Sequence, residues 1–268
     1  MNNVVDVEIR FNSEGLCHHC ERYDATHQDR LFHNQPEKLE DIVANIKRKG
    51  RGKKYDCLIG VSGGVDSTYV AYLCYKHKLR ALAVHLDNGW NSELSVVNIK
   101  NILKKTGFDL YTHVIKWSEF KDLQKSYFMA NVVDIEALTD HAIFSVLEKV
   151  AIKKKIKYII SGSSITTEGR LPSKWVHHKG DHKNIKSIHK KFGKLKISTF
   201  PISNYWIRLL RNKLYGIEVI DLLNYIDYKK EKAKKTIQNE LKWRDYGGKH
   251  FESIFTRFYQ AYILPKKF

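Results

Sequence analysis

The chain has 268 residues, with 47 Lys plus Arg against 29 Asp plus Glu and a formal net charge of +18. Its 43% apolar content, before the 15 glycines are added, is that of a globular protein and excludes disordered, collagen-like and low-complexity chains. It has no run of ~18 apolar residues, no apolar signal region in MNNVVDVEIRFNSEG and only four cysteines, so a spanning helix, a secretory signal and a disulfide scaffold are not expected and the cytoplasm is.

The elements alternate. Residues 1–34 form a Cys/His-bearing polar lead, and a helix is expected from Gln35 to Lys49. Tyr55–Val61 (YDCLIGV) is a short apolar run ending in glycines, the pattern of a buried parallel strand. Helix Asp66–His77, strand Arg80–Asp87, helix Ser92–Thr106 and strand Asp109–Ile115 follow. Helices Ser118–Met129 and Ile135–Lys154 then precede a fourth strand at Lys157–Ser161. This rhythm predicts an α/β fold with a doubly wound parallel sheet over residues 35–222. Leu171–Gly193 reads as a mobile Lys/His-rich loop with a short helix, and Glu218–Leu222 as a last strand. Residues 223–268 are expected to be a helical substrate or partner region. It holds a helix at Tyr228–Lys242, capped by Asp227, and an aromatic amphipathic run at Phe251–Ile263 that Pro265 stops.

The clearest chemical signal is Val61-Ser62-Gly63-Gly64-Val65-Asp66-Ser67-Thr68, between the first strand and its helix. Two glycines let several backbone N–H groups face one point, and the helix adds the positive end of its dipole. Ser62, Ser67 and Thr68 add hydroxyls. Asp66 fits as a brace for the loop or as a ligand of Mg²⁺. The loop lacks the Gly-Lys-Ser/Thr of a Walker A sequence and the Gly-x-Gly-x-x-Gly of a dinucleotide fold. It resembles the PP-loop of the N-type ATP pyrophosphatases, which grips the pyrophosphate of ATP.

Longer runs carry a closer resemblance. SEGLCHHC (13–20), VSGGVDST (61–68), LDNGW (86–90), DIEALTDHAI (134–143), SGSSITTEG (161–169) and GGKHFESIFTRFYQAYILPKKF (247–268) are similar to the N-acetyl sugar amidotransferases of bacterial surface-polysaccharide (lipopolysaccharide) synthesis. The resemblance implies that ATP and ammonia convert the acetamido group of a nucleotide-linked N-acetyl sugar to an acetamidino group. It also implies a second Cys-x-x-Cys upstream of Met1 and a continuation beyond Phe268.

Other residues extend the expected site. Asp87 and Trp90 follow the second strand, where an acid can fix a ribose or a metal and an indole can stack on a base or sugar. Ser161 and Gly162 follow the fourth strand and suit the nucleotide, with Thr167 and Glu168 suiting sugar hydroxyls. Asp134, Glu136 and Asp140 sit near a helix start, where acids complement the dipole. The resemblance makes Asp140 and His141 active-site residues, Asp140 to orient ammonia or hold Mg²⁺. Lys249, His250 and Arg257 are expected to meet the diphosphate or a sugar carboxylate. Turns, caps and core packing are the competing readings of these positions. Cys17 and Cys20 read either as half a zinc site, completed by His18, His19, His27 or another chain, or as an exposed reduced pair. Cys57 and Cys74 read as core residues.

Adenylation requires an ammonia source. No cysteine after Cys74 offers a glutaminase nucleophile, so that activity is expected on a separate subunit, HisH/HisF-like by the resemblance. The rival readings are a PP-loop tRNA-modifying enzyme, which the positive charge favours, and a PP-loop binding protein without catalysis.

Overall fold

The structure, a computed structural model, describes residues 6–29, 36–164, 178–248 and 251–267. Strands β1 (Cys57–Gly60), β2 (Ala81–Asp87), β3 (Asp109–Val114), β4 (Tyr158–Ser161) and β5 (Glu218–Asp221) form one sheet in the order β3-β2-β1-β4-β5. Every neighbouring pair is parallel. The expected α/β fold is the one observed.

Helices cover both faces. On one lie α2 (Pro36–Gly50), α3 (Val65–Lys76), α4 (Glu93–Thr106) and α9 (Lys230–Leu241). Their Ile46, Val70, Ile102 and Ile237 pack with Cys57, Ile59, Ala83 and Ile160 of the strands. On the other lies α6 (Ala137–Lys154), whose Val146 and Val150 meet Leu58, Leu82, Val84 and Ile159. Strand residues therefore alternate between two cores, as a sheet buried on both faces requires. Cys57 and Cys74 are buried within the first core.

A third apolar cluster lies beside the sheet. It joins α5 (Trp117–Met129), the start of α6, α7 (His182–Phe192) and the C-terminal helix α10 (Ile254–Phe258) through Phe120, Leu123, Leu138, Ile185, Phe200 and Phe255. Two buried carboxylates of α5 pin the segment after α7. Glu119 accepts N–H bonds from Ser198, Thr199 and Phe200 at 2.9–3.1 Å and the Ser198 hydroxyl at 2.7 Å. Asp122 accepts from the backbone of Lys194 and Leu195 and pairs with His189 at 3.0 Å.

Helices α1 (His18–Asp29) and α8 (Tyr205–Tyr215) fall where the sequence showed no period. Residues 171–177 of the expected mobile loop lie outside the described residues, and α7 is its helix. Asp227 does not cap α9. Lys229 occupies that position and Asp227 pairs with it at 3.1 Å. Nor does Pro265 end the terminal helix. A π-helical turn at Tyr259–Ile263 leads into α11 (Leu264–Lys267), and the Leu264 N–H reaches back five residues to Tyr259 O. The wider turn changes the register just where proline has no N–H to give.

Burial by itself would raise the Glu119 carboxyl, but the donors from Thr199, Ser198 and Phe200 outweigh it and hold it at about 2, against an ordinary 4.5. Its stabilisation is therefore full above the unfolded value and is lost as pH falls from about 4.5 toward 2. Urea unfolding of Glu119→Gln should show a loss of about 2 kcal/mol near neutral pH and a shallower fall in stability below pH 4.5 than the parent chain.

Candidate active site

The loop between β1 and α3 is shaped from within. Gly63 has φ +80, and a Cβ there would lie 2.6 Å from the Ser95 carbonyl oxygen of α4. Gly64 begins α3, and a Cβ on it would lie 3.1 Å from Ser62 Oγ and from Glu252 Oε1. Only bare backbone fits at Gly63, while a Cβ at Gly64 would have to displace the ends of those side chains.

The hydroxyls divide their work. Thr68 is buried and donates to Gly64 O at 2.6 Å, locking the first turn of α3. Ser62 and Ser67 face each other across the mouth with 3.1 Å between their hydroxyl oxygens, and Ser62 Oγ accepts the Gly64 N–H at 3.2 Å. Ser62 is exposed and free to re-pair with a ligand.

The chain beyond α9 straps this loop. Trp243 Nε1 donates to Gly63 O at 2.8 Å. Buried Asn98 of α4 donates to Arg244 O at 2.9 Å and accepts the Arg244 N–H at 2.8 Å. The Ser92 N–H then reaches Glu252 O at 2.9 Å and the Ile254 N–H reaches Trp90 O at 2.8 Å, with an antiparallel bridge between Asn91 and Ser253. Tyr228 donates to the Asp66 carboxylate. Burial, followed by the nearby Asp66 charge, pushes the Tyr228 hydroxyl up, so it stays a donor. Tyr246 packs beside Gly64 and its hydroxyl is likewise raised, by burial and then by Glu252.

An acidic cluster follows the strap. Thr256 donates to Glu136 at 2.9 Å, while the other Glu136 oxygen is buried without a hydrogen-bond partner among the described residues. Burial above all, with Asp140 and Asp134 adding to it, raises the Glu136 carboxyl to about 7. Lys179 pairs with Asp134 and, at 3.0 Å, with Asp140. His141 donates from Nδ1 to Lys179 O and accepts the Ser203 N–H at Nε2, so both its ring nitrogens are spent on backbone.

The remaining sequence candidates are placed as follows. Asp87 accepts from Gly89 N–H at 3.0 Å and from the Asn91 amide at 3.1 Å. Trp90 donates to Gln124 at 3.0 Å and packs between Trp117 and Phe255. Ser161 Oγ accepts the Ser163 N–H, and Gly162 lies against the first turn of α3 at Asp66 and Ser67. Arg257 lies over the Phe251 ring, 4.4 Å from its centre. Thr167, Glu168, Lys249 and His250 lie outside the described residues. Sequence reasoning missed Lys179, Tyr228, Tyr246 and Trp243. Each acts through a contact dozens of residues away, for which a single sequence holds no local signal.

Zinc at Cys17 and Cys20 gains no support. Among the described residues no group of three or more His, Cys, Asp or Glu side chains is placed to hold a metal ion. Nor is the pair simply exposed, because Cys17 is buried at the start of α1. The Cys20 N–H, aided by the Cys20 side chain and the His19 N–H, draws the Cys17 thiol below its usual range despite burial. Of the expected substitutes, His18 Nδ1 is engaged with the Arg10 N–H and His19 Nε2 with Asp6 at 2.7 Å, and the His27 side chain lies outside what the structure describes.

Residues 37–168 match the family model described as NAD synthase. Over those residues, just under half of the chain, the α/β unit is similar to an NAD synthase. The match takes in the loop, helices α3 to α6 and the acids Asp134, Glu136 and Asp140, but neither α9 nor the strap. Two curated relatives match shorter stretches. An uncharacterized protein of Methanocaldococcus jannaschii is 34% identical over 30% of this chain and 28% of its own length. A glutamine-hydrolyzing GMP synthase of Pyrobaculum aerophilum is 37% identical over 28% of this chain and 14% of its own. Among solved structures, the NMN synthetase of Francisella tularensis is 14% identical, with 81% of this chain and 99% of that one covered and a TM-score of 0.40. The U34-tRNA thiolase NcsA of Methanococcus maripaludis is 15% identical, with 85% and 74% covered and a TM-score of 0.43.

The packing of the PP-loop on α4 gives a paired test. Gly107 shares the left-handed conformation, with φ +70, but has open space where a Cβ would go. Thermal or urea unfolding should find Gly107→Ala about 1 kcal/mol less stable than the parent and Gly63→Ala a further ~2 kcal/mol worse, because only Gly63 also meets a carbonyl.

Proposed function

We propose that this chain is an ATP-dependent, AMP-forming amidotransferase that converts the acetamido group of a nucleotide-linked N-acetyl sugar to an acetamidino group, in the synthesis of a surface polysaccharide such as lipopolysaccharide. What supports the reading is an NAD synthase-like unit that carries a PP-loop, joined to a C-terminal segment, GGKHFESIFTRFYQAYILPKKF, that resembles the sugar amidotransferases.

The loop fits a phosphate group. Gly63 and Gly64 leave room for close backbone approach, and Ser62 and Ser67 offer hydroxyls at the mouth. Asp66 supplies hard carboxylate oxygens at the same place, suited to Mg²⁺. Bound there, Mg²⁺ would offset the charge that grows on the pyrophosphate.

An amide carbonyl is a poor electrophile with a poor leaving oxygen, and adenylation corrects both. The acetamide oxygen attacks the α-phosphorus of ATP and pyrophosphate leaves. Ammonia then adds to the imidate carbon, loses a proton, and AMP departs with the former amide oxygen. The loop positions the phosphates and supplies dipoles, and none of its residues need be a covalent nucleophile. Asp140, set by Lys179, orients the ammonia, and Glu136, with a carboxyl at about 7, takes the proton. Asp87, Trp90, Ser161, Gly162, Thr167, Glu168, Lys249, His250 and Arg257 are assigned to nucleotide and sugar as the sequence suggests. Ammonia comes from a separate cytoplasmic glutaminase subunit, since no cysteine after Cys74 offers a glutaminase nucleophile in this sequence.

The decisive experiment incubates the protein with Mg²⁺-ATP, ammonium and nucleotide-linked N-acetyl sugars and follows products by mass spectrometry. A product lighter by about 1 Da, with AMP formed in equal amount, is expected. An ¹⁸O label in the acetamide oxygen should pass to AMP. If instead ATP turns over only with tRNA, the positive charge of the chain has the other meaning and the sugar reading fails.

At fixed free ammonia, the rate of amidine formation should rise with pH through about 7 and then level. Glu136→Gln should lower it about 100-fold and remove the rise, while ATP affinity stays within a few-fold of the parent. A Glu136→Gln rate that keeps the same pH profile would remove Glu136 from the proton path.

A further inference from the structure

The strands of an all-parallel sheet start on one edge, and here that edge is basic. Helices α2, α3, α4 and α6 end at Gly50, Lys76, Thr106 and Lys154, and the turns after them lead into β1, β2, β3 and β4. The strand starts are level: Cys57 lies beside Ala81, Leu58 beside Ile159 and Leu82 beside Asp109. Residues 47–56 (KRKGRGKKYD), 76–80 (KHKLR), 104–109 (KKTGFD) and 153–157 (KKKIK) form these helix ends and turns. They hold 15 Lys and Arg against two acids. All of the cations but Lys53 and Lys157 are exposed.

The segments form one surface. Lys53 Nζ donates to Lys155 O at 3.1 Å, and Arg80 donates to Lys53 O at 2.7 Å and to Gly50 O at 2.9 Å. Both acids are spent within it, Asp56 on Arg80 at 2.6 Å and Asp109 on Lys54 at 2.9 Å. Cations ordinarily gather at helix C-termini, where each dipole offers about half a negative charge. Four helix ends thus account for about two charges, far fewer than this edge carries.

We propose that this edge docks the protein on an anionic lipid bilayer. Composition favours lipid over nucleic acid. Twelve of the cations are Lys and three are Arg, and Arg80 is committed to Asp56 and two carbonyls. A lipid surface asks for charge alone, whereas a grip on individual phosphates favours the arginine fork. Apolar side chains stand among the charges: Tyr75, next to Lys76, is 40% exposed, and Leu110, next to Asp109, is 41% exposed. Such side chains suit the boundary between headgroups and acyl chains. Position agrees. The four residues of β1, about 13 Å of strand, separate this edge from the PP-loop at the other. A nucleic-acid substrate held here would be out of reach of the loop, whereas a bilayer held here leaves the loop open to solution.

Co-sedimentation of the full chain with vesicles tests this. The parent should pellet with vesicles of phosphatidylglycerol and phosphatidylcholine in equal parts, less so as salt rises, and not with phosphatidylcholine alone. Lys153→Glu with Lys154→Glu, and separately Lys104→Glu with Lys105→Glu, should each lower the partition coefficient about 25-fold or more, since each cation contributes about fivefold at such a surface. The four side chains are exposed, so the circular dichroism melt should stay unchanged. Lys186→Glu with Lys190→Glu, exposed on α7, alters net charge equally and should keep the partition within a few-fold of the parent. A parent that does not pellet with the anionic vesicles overturns the proposal, as does an α7 variant that loses as much as the other two. So does tRNA binding that both edge variants abolish while vesicle binding is unchanged.

Discussion

The site depends on how closely the Gly63 backbone lies to α4. With φ +80 and the Ser95 carbonyl filling the place of a side chain, Gly63 lets the PP-loop settle onto a helix that belongs to the next β-α unit. The loop is therefore held from two sides, by β1 beneath it and by α4 beside it. Gly63 O takes the Trp243 indole N–H. One glycine thus fixes the loop, buries its carbonyl with a partner and creates the anchor for the strap. An unpaired buried carbonyl would cost about 1–3 kcal/mol, which is why the indole is conformationally committed and Trp243 is buried.

The strap then carries order from the loop to the acidic cluster. From Trp243 to Thr256 the chain touches Gly63, Asn98, the Trp90–Ser92 backbone and Glu136 in turn. Most of these contacts involve backbone groups, so they fix the path of the chain more than the identity of its residues. The carboxylates of α5 do the same for the segment after α7. After α7 each carboxylate satisfies two or three backbone donors, and in the strap Asn98 meets one donor and one acceptor of Arg244, so that in both places polar side chains on a rigid helix order a stretch without periodic structure.

This division explains what was legible in the sequence. The strands were legible because burial on both faces demands continuous apolar runs such as CLIG and ALAV. The PP-loop was legible because its backbone geometry admits few residue types. Helix α8 was not, because its apolar residues face outward and its polar ones inward, the reverse of the rule by which helices are read. Nor was the pairing of Asp140 with Lys179, 39 positions on, or of Asp66 with Tyr228, because each is made by the folded chain alone. Asp227 and Pro265 show the same limit: cap and break rules are local, and an ion pair in one case and a π turn in the other overrode them.

The electrostatics of the site run against the composition. In a chain with 47 Lys and Arg, Asp66 and Glu136 make no ion pair among the described residues and are met instead by the neutral hydroxyls of Tyr228 and Thr256. A hydroxyl fixes a carboxylate without cancelling its charge. Beside a loop built for phosphate, an uncancelled Asp66 would repel a bare anion, and by the same Coulomb term it favours a phosphate that arrives with a divalent cation. Burial acts differently on Glu136, where it holds the proton near neutral pH. Burial thereby fits Glu136 for handling a proton, while Asp66 is braced by the Tyr228 hydroxyl beside the phosphate loop.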